Sequence, residues 1–351
     1  MTLAPPPALV PLIAVAPVAI VLSLIITPIA TRLAWALGYL DHPEARKLHT
    51  SATALLGGLG ILVAAVLAAL AGGILHLDRW PVREYPLLSG AMVALLIGLW
   101  DDRFGMHPLL KLIGQGLAVV LFLASGAIPD FHVGPLFNVG ATVLVTVALM
   151  NATNFLDNMN GMVGGLSAIA LTAFAWGSAS RGATNVAVVQ LALAGACAGF
   201  LPYNFPRARI FLGDAGSLFL GYSLAASAAL AFMGGPQGWG QIGPVIVLGY
   251  PAFDMIFVVA TRRREGRKVS QGGKDHTNHR LASLIKCPKR TVLLLWLLGA
   301  VLSASGLAVQ SLNRPLPALL MSALWLGLFL MAGRRLSSVP IETSPPPPTK
   351  S

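Results

Sequence analysis

The sequence predicts an all-α integral membrane protein with about eleven transmembrane helices, the N-terminus outside and the C-terminus cytoplasmic. Composition is the first ground. Of 351 residues, 56% are hydrophobic and 11% charged, with a mean hydropathy of +0.75. A soluble domain carries roughly 25% charged residues, so this chain lacks the polar surface to face water all round. Length is the second: apolar runs of about 20 residues, enough to cross a bilayer, recur along nearly the whole chain. The third is where the cations fall. With the N-terminus outside, only Arg79, Arg83, Arg181 and Arg314 of the 24 Lys/Arg lie on the outer side, as expected when basic loops stay cytoplasmic.

Taken in order, the runs cover roughly 8–37, 54–76, 85–101, 107–128, 135–153, 160–180, 184–202, 214–234, 240–261, 290–310 and 315–334. No basic segment precedes the first run, which continues to Leu37. That is too long for a signal-peptide core, so it is read as a retained helix. Four consecutive prolines near Ser351 cannot enter a packed element, so the chain divides into one membrane domain, 1–335, and a disordered tail, 336–351. Ten Lys/Arg crowd between Arg262 and Arg290. The net charge of +11 therefore belongs largely to a loop facing anionic lipid or an anionic substrate, not nucleic acid. Cys197 and Cys287 offer neither metal-ligand spacing nor a disulfide framework. Among the acids only Asp78, Glu84 and Asp130 fall outside. Acids contribute little to topology, so their bias points to one polar site built from cytoplasmic loops. No repeat stands out, which disfavours an inverted-repeat transporter.

Four segments could carry chemistry. The third run ends in the adjacent carboxylates Asp101 and Asp102, with Lys111 following in the next run. Such a pair suits proton abstraction or phosphate–metal chemistry, and it also suits a solvated helix end with a snorkelling lysine. Asn151, Asn154, Asp157 and Asn160 recur every third residue. On a helix they share one side, where they are costly to desolvate unless bonded or ligated. Gly213-Asp214-Ala215-Gly216-Ser217 opens a helix whose first amides favour phosphate, with Asp214 beside them as a Mg²⁺ ligand. An ordinary Gly-Asp turn capped by Ser is the alternative. The last segment joins Asp254, inside the ninth run, to a loop ending Lys274-Asp275-His276-Thr277-Asn278-His279-Arg280-Leu281. Asp254 is either functional or paired with the arginines that follow. His276 and His279 lack a third soft ligand for zinc and fit a grip on pyrophosphate better. Arg262, Arg263 and Arg264 are read as topological.

Together with Asp41-His42-Pro43-Glu44-Ala45-Arg46-Lys47-Leu48-His49 and Gly57-Gly58, these segments resemble the polyprenyl-phosphate N-acetylhexosamine-1-phosphate transferase superfamily, glycosyltransferase family 4. They follow the family order from Asp41 to Leu281. The resemblance is nearest to bacterial UDP-GlcNAc:undecaprenyl-phosphate GlcNAc-1-phosphate transferases. It implies a Mg²⁺-dependent enzyme (Mn²⁺ as a substitute) of the bacterial inner membrane, with its site facing the cytoplasm and UMP as leaving group. Its partners would be a polyprenyl phosphate and a UDP-sugar, and a homodimer is allowed. Asp214 would ligate the metal, helped by Asn154. Asp101 and Asp102 would handle the lipid phosphate, one as base. Lys47, Lys111, His276, His279 and Arg280 would contact phosphates or sugar, and Asp157 and Asn160 the nucleotide. Asn160 can both donate to and accept from a uracil edge.

The chain departs from the family's pattern in three places. Many bacterial members read Asp-Gly-x-Asp-Gly where this chain has Asp157-Asn158-Met159-Asn160-Gly161, and His-x-His-His-Arg-Leu where it has His276-Thr277-Asn278-His279-Arg280-Leu281. The prolines usual before Gly57 are missing. Two rivals stand beside this reading. One is the branch that makes lipid I from UDP-MurNAc-pentapeptide; the other is an organic-anion transporter, which would stagger its acids through membrane depth.

Overall fold

The computed structural model describes residues 9–41, 52–71, 86–124, 126, 128–234, 238–268 and 273–340. Helix α1 (Leu9–Leu37) leads to a short antiparallel pair, β1 (Leu40–Asp41) and β2 (Thr53–Ala54). The rest is helical: α2 (Gly57–Ala71), α3 (Pro86–Phe104), α4 (Pro108–Ala124), α5 (Pro135–Leu156), α6 (Met162–Ala179), α7 (Thr184–Asn204), α8 (Gly213–Gly234), α9 (Gly243–Val247), α10 (Gly249–Arg264), α11 (Thr277–Ile285), α12 (Pro288–Leu312) and α13 (Pro315–Ser337).

Seven of these helices are long and apolar enough to cross a membrane, and eight if the bent pair around Leu248 is one span. The chain is a multi-pass membrane protein. Helices α2 and α4 are apolar but shorter, and α3 ends in the charged triplet Asp101-Asp102-Arg103. The ninth run of the sequence is not one straight helix. Trp239–Val247 and Gly249–Arg264 meet at 66°, because α9 closes at Leu248 and a new helix begins with Gly249 and Tyr250 before Pro251. Helix α13 continues to Ser337, past the expected boundary at 335; residues 341–351 of the expected tail lie outside the described residues.

Helix α8 is the axis of the bundle. Leu218, Phe219, Leu220 and Tyr222 are buried on it, and α3 and α5 pack along it. Helix α1 packs on α7, and α7 on α6. Helix α13 is peripheral, burying only Ala318, Trp325 and Leu336, while Leu316, Leu320, Leu326 and Met331 point outward. An outward row of that kind needs an apolar solvent.

The start of α8 is clamped from two sides. Gly57 and Gly58 donate backbone N–H bonds of 3.1 Å to Phe211 and Leu212, and Phe211 donates to Ala54 at 2.8 Å. A methyl group at Gly58 would overlap the Gly216 backbone, and one at Gly98 would overlap Asp214 and Ala215. Only glycine lets α2 and α3 approach α8 this closely, and that approach brings the end of α3 to Asp214.

Candidate active site

The carboxylates at the end of α3 take different partners. Asp102 accepts backbone N–H bonds from Asp214 (2.8 Å) and Ala215 (3.0 Å). It caps α8 from a neighbouring helix, satisfying amides that have no intrahelical acceptor. This corrects an expectation: the α8 amides anticipated for a phosphate are held by Asp102. Asp101 accepts a bond from its own turn, Met106 N at 2.7 Å, and turns its other oxygen to Lys111 Nζ at 2.8 Å.

Lys111, on the first turn of α4, joins the cluster. Its ammonium pairs with Asp214 as well as Asp101, and Asn154 Oδ1 lies 3.5 Å away. Three oxygens from α3, α5 and α8 therefore surround one cation. Asn154 also donates to Asp214 Oδ1 (2.7 Å) and Ser217 Oγ (2.9 Å), which orients the Asp214 carboxylate. Among the described residues no three His, Cys, Asp or Glu side chains form a metal-binding group on their own. The donor set is nonetheless hard oxygen, the carboxylates of Asp101 and Asp214 and the amide of Asn154, here shared with the Lys111 ammonium. That suits Mg²⁺, which takes one or two carboxylates and completes its shell with water and substrate phosphate.

The run of four polar residues splits between roles. Asn151 pairs reciprocally with Gln115 of α4, at 2.6 and 3.3 Å, and joins two helices. Helix α5 stops at Leu156, so Asn160 is not on the helical side shared by Asn151 and Asn154. It sits in the turn before Gly161, whose φ is 78°, and donates to Pro206 O at 3.2 Å. Asp157 caps α5 and is only partly exposed. Burial, reinforced by the charge of Asp214, pushes its carboxyl up to about 7.

The basic loop is fastened by contacts invisible in sequence. Arg262 is 2% exposed and makes a two-pronged pair with Asp275, both bonds 2.8 Å. It is a structural anchor, not merely a topological charge. Although burial opposes it, Arg262 and Arg267 hold the Asp275 carboxyl well below the usual carboxylate range. Asp254 resolves in favour of the loop and not the arginines: it accepts from Thr277 N (2.8 Å) and Thr277 Oγ1 (2.6 Å), and lies 2.7 Å from His276 Nδ1. His276 thus has one ring nitrogen tied to Asp254, which leaves Nε2 for other work. Its ring meets Phe155 edge-on at 6.1 Å, near the end of α5. Burial, then His276 and Lys274, push the His279 imidazole down to about 4, so it is neutral near pH 7.

One expected contact is not part of this cluster. Arg280 donates to the carbonyls of Leu336 (3.1 Å) and Val339 (2.8 Å) and lies over the Phe257 ring, so it caps α13. Lys47 lies outside the described residues. Sequence reasoning missed Asn204, which accepts from Gly161 N (2.6 Å) and donates to Ile210 O (2.9 Å), tying the α5–α6 turn to the segment before α8. A lone Asn at a helix end gives no signal of such a reach.

The fold and this cluster define a polytopic helical membrane protein with a polar centre where several helices end. Residues 85–232 match the family described as Glycosyl transferase family 4. The chain is 32% identical to a probable undecaprenyl-phosphate N-acetylglucosaminyl 1-phosphate transferase of Bacillus subtilis, over 90% of this chain and 86% of the relative. It is also 32% identical to a decaprenyl-phosphate N-acetylglucosaminephosphotransferase of Mycobacterium tuberculosis, over 86% and 82% of the two chains. A phospho-N-acetylmuramoyl-pentapeptide-transferase of Desulforudis audaxviator is 30% identical over 83% and 94%. The chain belongs to glycosyltransferase family 4.

Proposed function

We propose that this protein transfers GlcNAc-1-phosphate from UDP-GlcNAc to a polyprenyl phosphate at the cytoplasmic face of a bacterial inner membrane, releasing UMP. The observation that carries the reading is the convergence of Asp101, Lys111, Asn154 and Asp214 at helix ends, in a chain whose relatives are named for that transfer. On the expected topology α2, α3, α4 and the bent α9–α10 pair would cross beside the seven long helices, making eleven spans with the N-terminus outside. That topology puts the cluster where a UDP-sugar is available and the apolar spans within reach of a polyprenyl tail.

The reaction joins two anions. An oxygen of the lipid phosphate attacks the sugar-linked phosphorus, and the bond to UMP breaks. Asp214, helped by Asn154, would hold Mg²⁺, which would neutralise pyrophosphate charge and stabilise the departing oxygen. Lys111 screens the incoming phosphate. Asp101, not committed to α8, is the base that takes a remaining lipid-phosphate proton, whereas Asp102 fixes the start of α8 and with it Asp214. His276, held by Asp254, and neutral His279 offer ring nitrogens to the donor's phosphates or sugar. Asp157 faces the donor from the turn after α5.

The test offers purified protein two labelled donors in parallel, UDP-GlcNAc and UDP-MurNAc-pentapeptide, with undecaprenyl phosphate and Mg²⁺. The proposal expects labelled lipid from UDP-GlcNAc. Label from the pentapeptide donor alone would move the protein to the lipid I branch.

A further inference from the structure

The turn after α5 and the start of α11 are 120 residues apart in sequence and are joined by a side-chain hydrogen bond. Asn278 Nδ2 donates to Asn158 Oδ1 at 2.6 Å. Both amides are fixed at their other ends: Asn158 Nδ2 donates to Phe155 O at 2.7 Å, and Asn278 Oδ1 accepts from His279 N at 2.7 Å. The bonds form a directed chain from the last turn of α5 to the backbone of His279, and each amide uses its donor and acceptor ends correctly. Asn278 is 0% exposed, so an orphaned amide there would have no water to turn to. The bridge lies between Asp157 on one side and His276 and His279 on the other.

These two asparagines are among the positions at which the chain departs from the motifs it resembles, where glycine is usual at the first and histidine at the second; Asn160 is another. A glycine at 158 has no side chain to accept the bond.

We infer that Asn158 and Asn278 form a clasp that sets the separation between the two walls of the donor site, and so sets affinity for the UDP-sugar. They are positioning residues: neither is required to touch the reacting phosphorus. The inference rests on the transferase reading, and the experiment separates the two. Four variants are compared with the wild type in detergent: Asn158→Gly, Asn278→His, Asn278→Ala, and the double Asn158→Gly/Asn278→His. Labelled-lipid formation gives kcat and KM for each substrate, and melting temperature reports folding.

Loss of one buried hydrogen bond predicts that each single variant raises KM for UDP-GlcNAc by about fivefold to tenfold. KM for the polyprenyl phosphate should stay unchanged. The double variant, which removes the same bond from both ends, should be no worse than the worse single. Singles with wild-type KM, or a double whose defect equals the product of the two singles, would overturn the clasp. So would variants that only melt lower, with donor KM unchanged. A wild type that makes no labelled lipid would instead contradict the transferase reading from which the clasp takes its meaning.

Discussion

Asp101 and Asp102 are neighbours in sequence with separate tasks, and single substitutions should tell them apart. Asp102→Asn keeps one acceptor for the α8 amides but loses the charge opposite the helix N-terminus, worth about 0.3–2 kcal/mol. It should lower the melting temperature and activity together. Asp101→Asn should leave melting within a degree or two and cut kcat by about 10²-fold or more, the scale of a lost acid–base group. Equal, mild effects from both would return the pair to a solvated helix end. Asp214→Asn should abolish turnover with the fold retained, and turnover surviving in excess EDTA would remove the metal from the account. Asp157 makes a pH prediction. Its carboxyl is raised to about 7, so across the interval from the ordinary carboxylate value to 7 the native protein keeps a proton that the unfolded chain releases. Its contribution to stability therefore falls as pH rises through that window and is flat above it. A melting series from pH 4 to 8 should show Asp157→Asn losing that slope. Residue types and spacing made Asp101, Lys111, Asn154 and Asp214 legible in the sequence, because a carboxylate or lysine is rarely spent inside a membrane protein without a partner. The division between Asp101 and Asp102 was not legible: adjacency says nothing about which carboxylate meets another helix. The periodicity that placed Asn160 beside Asn154 failed because α5 ends at Leu156.

At the scale of elements, the short helix α11 carries His279 and depends on anchors outside itself. The buried Arg262–Asp275 pair fastens the preceding loop to α10, and Arg280 fastens α11 to the end of α13. Removing one partner of a buried ion pair typically costs about 3–5 kcal/mol, less here because Arg267, 2.8 Å from Asp275, stays as its partner. Arg262→Ala should therefore melt below the wild type. Arg262→Ala/Asp275→Ala should recover part of the loss, and a double variant no better than the single would show the pair is not the anchor. Sequence patterning found the long helices readily, since runs of apolar residues leave few alternatives in a bilayer. It did not foresee the break at Leu248 or the clamps on α8, which depend on how closely Gly58 and Gly98 approach neighbouring backbone. It read Arg262 as topology because its partner is thirteen residues away and meets it only after the loop turns back.

For the whole molecule, orientation can be tested without an activity assay. Cys287 lies between α11 and α12 on the proposed cytoplasmic side, and Val133, 67% exposed, lies just before α5 on the other. In intact cells an impermeant maleimide should spare Cys287 and label a Val133→Cys variant carrying Cys287→Ser; the opposite pattern would invert the topology. Family and general chemistry were legible from five weak motifs in order, whereas the distribution of structural and chemical duties needed the fold. The central claim is that this bundle makes a lipid-linked sugar phosphate. Its most direct test is purified protein in detergent with radiolabelled UDP-GlcNAc, undecaprenyl phosphate and Mg²⁺, followed by organic extraction. The account predicts label in the lipid phase with one UMP released per lipid formed, lost on chelation and absent with Asp214→Asn. No label in the lipid phase, together with uptake of intact UDP-GlcNAc by vesicles containing the protein, would contradict it.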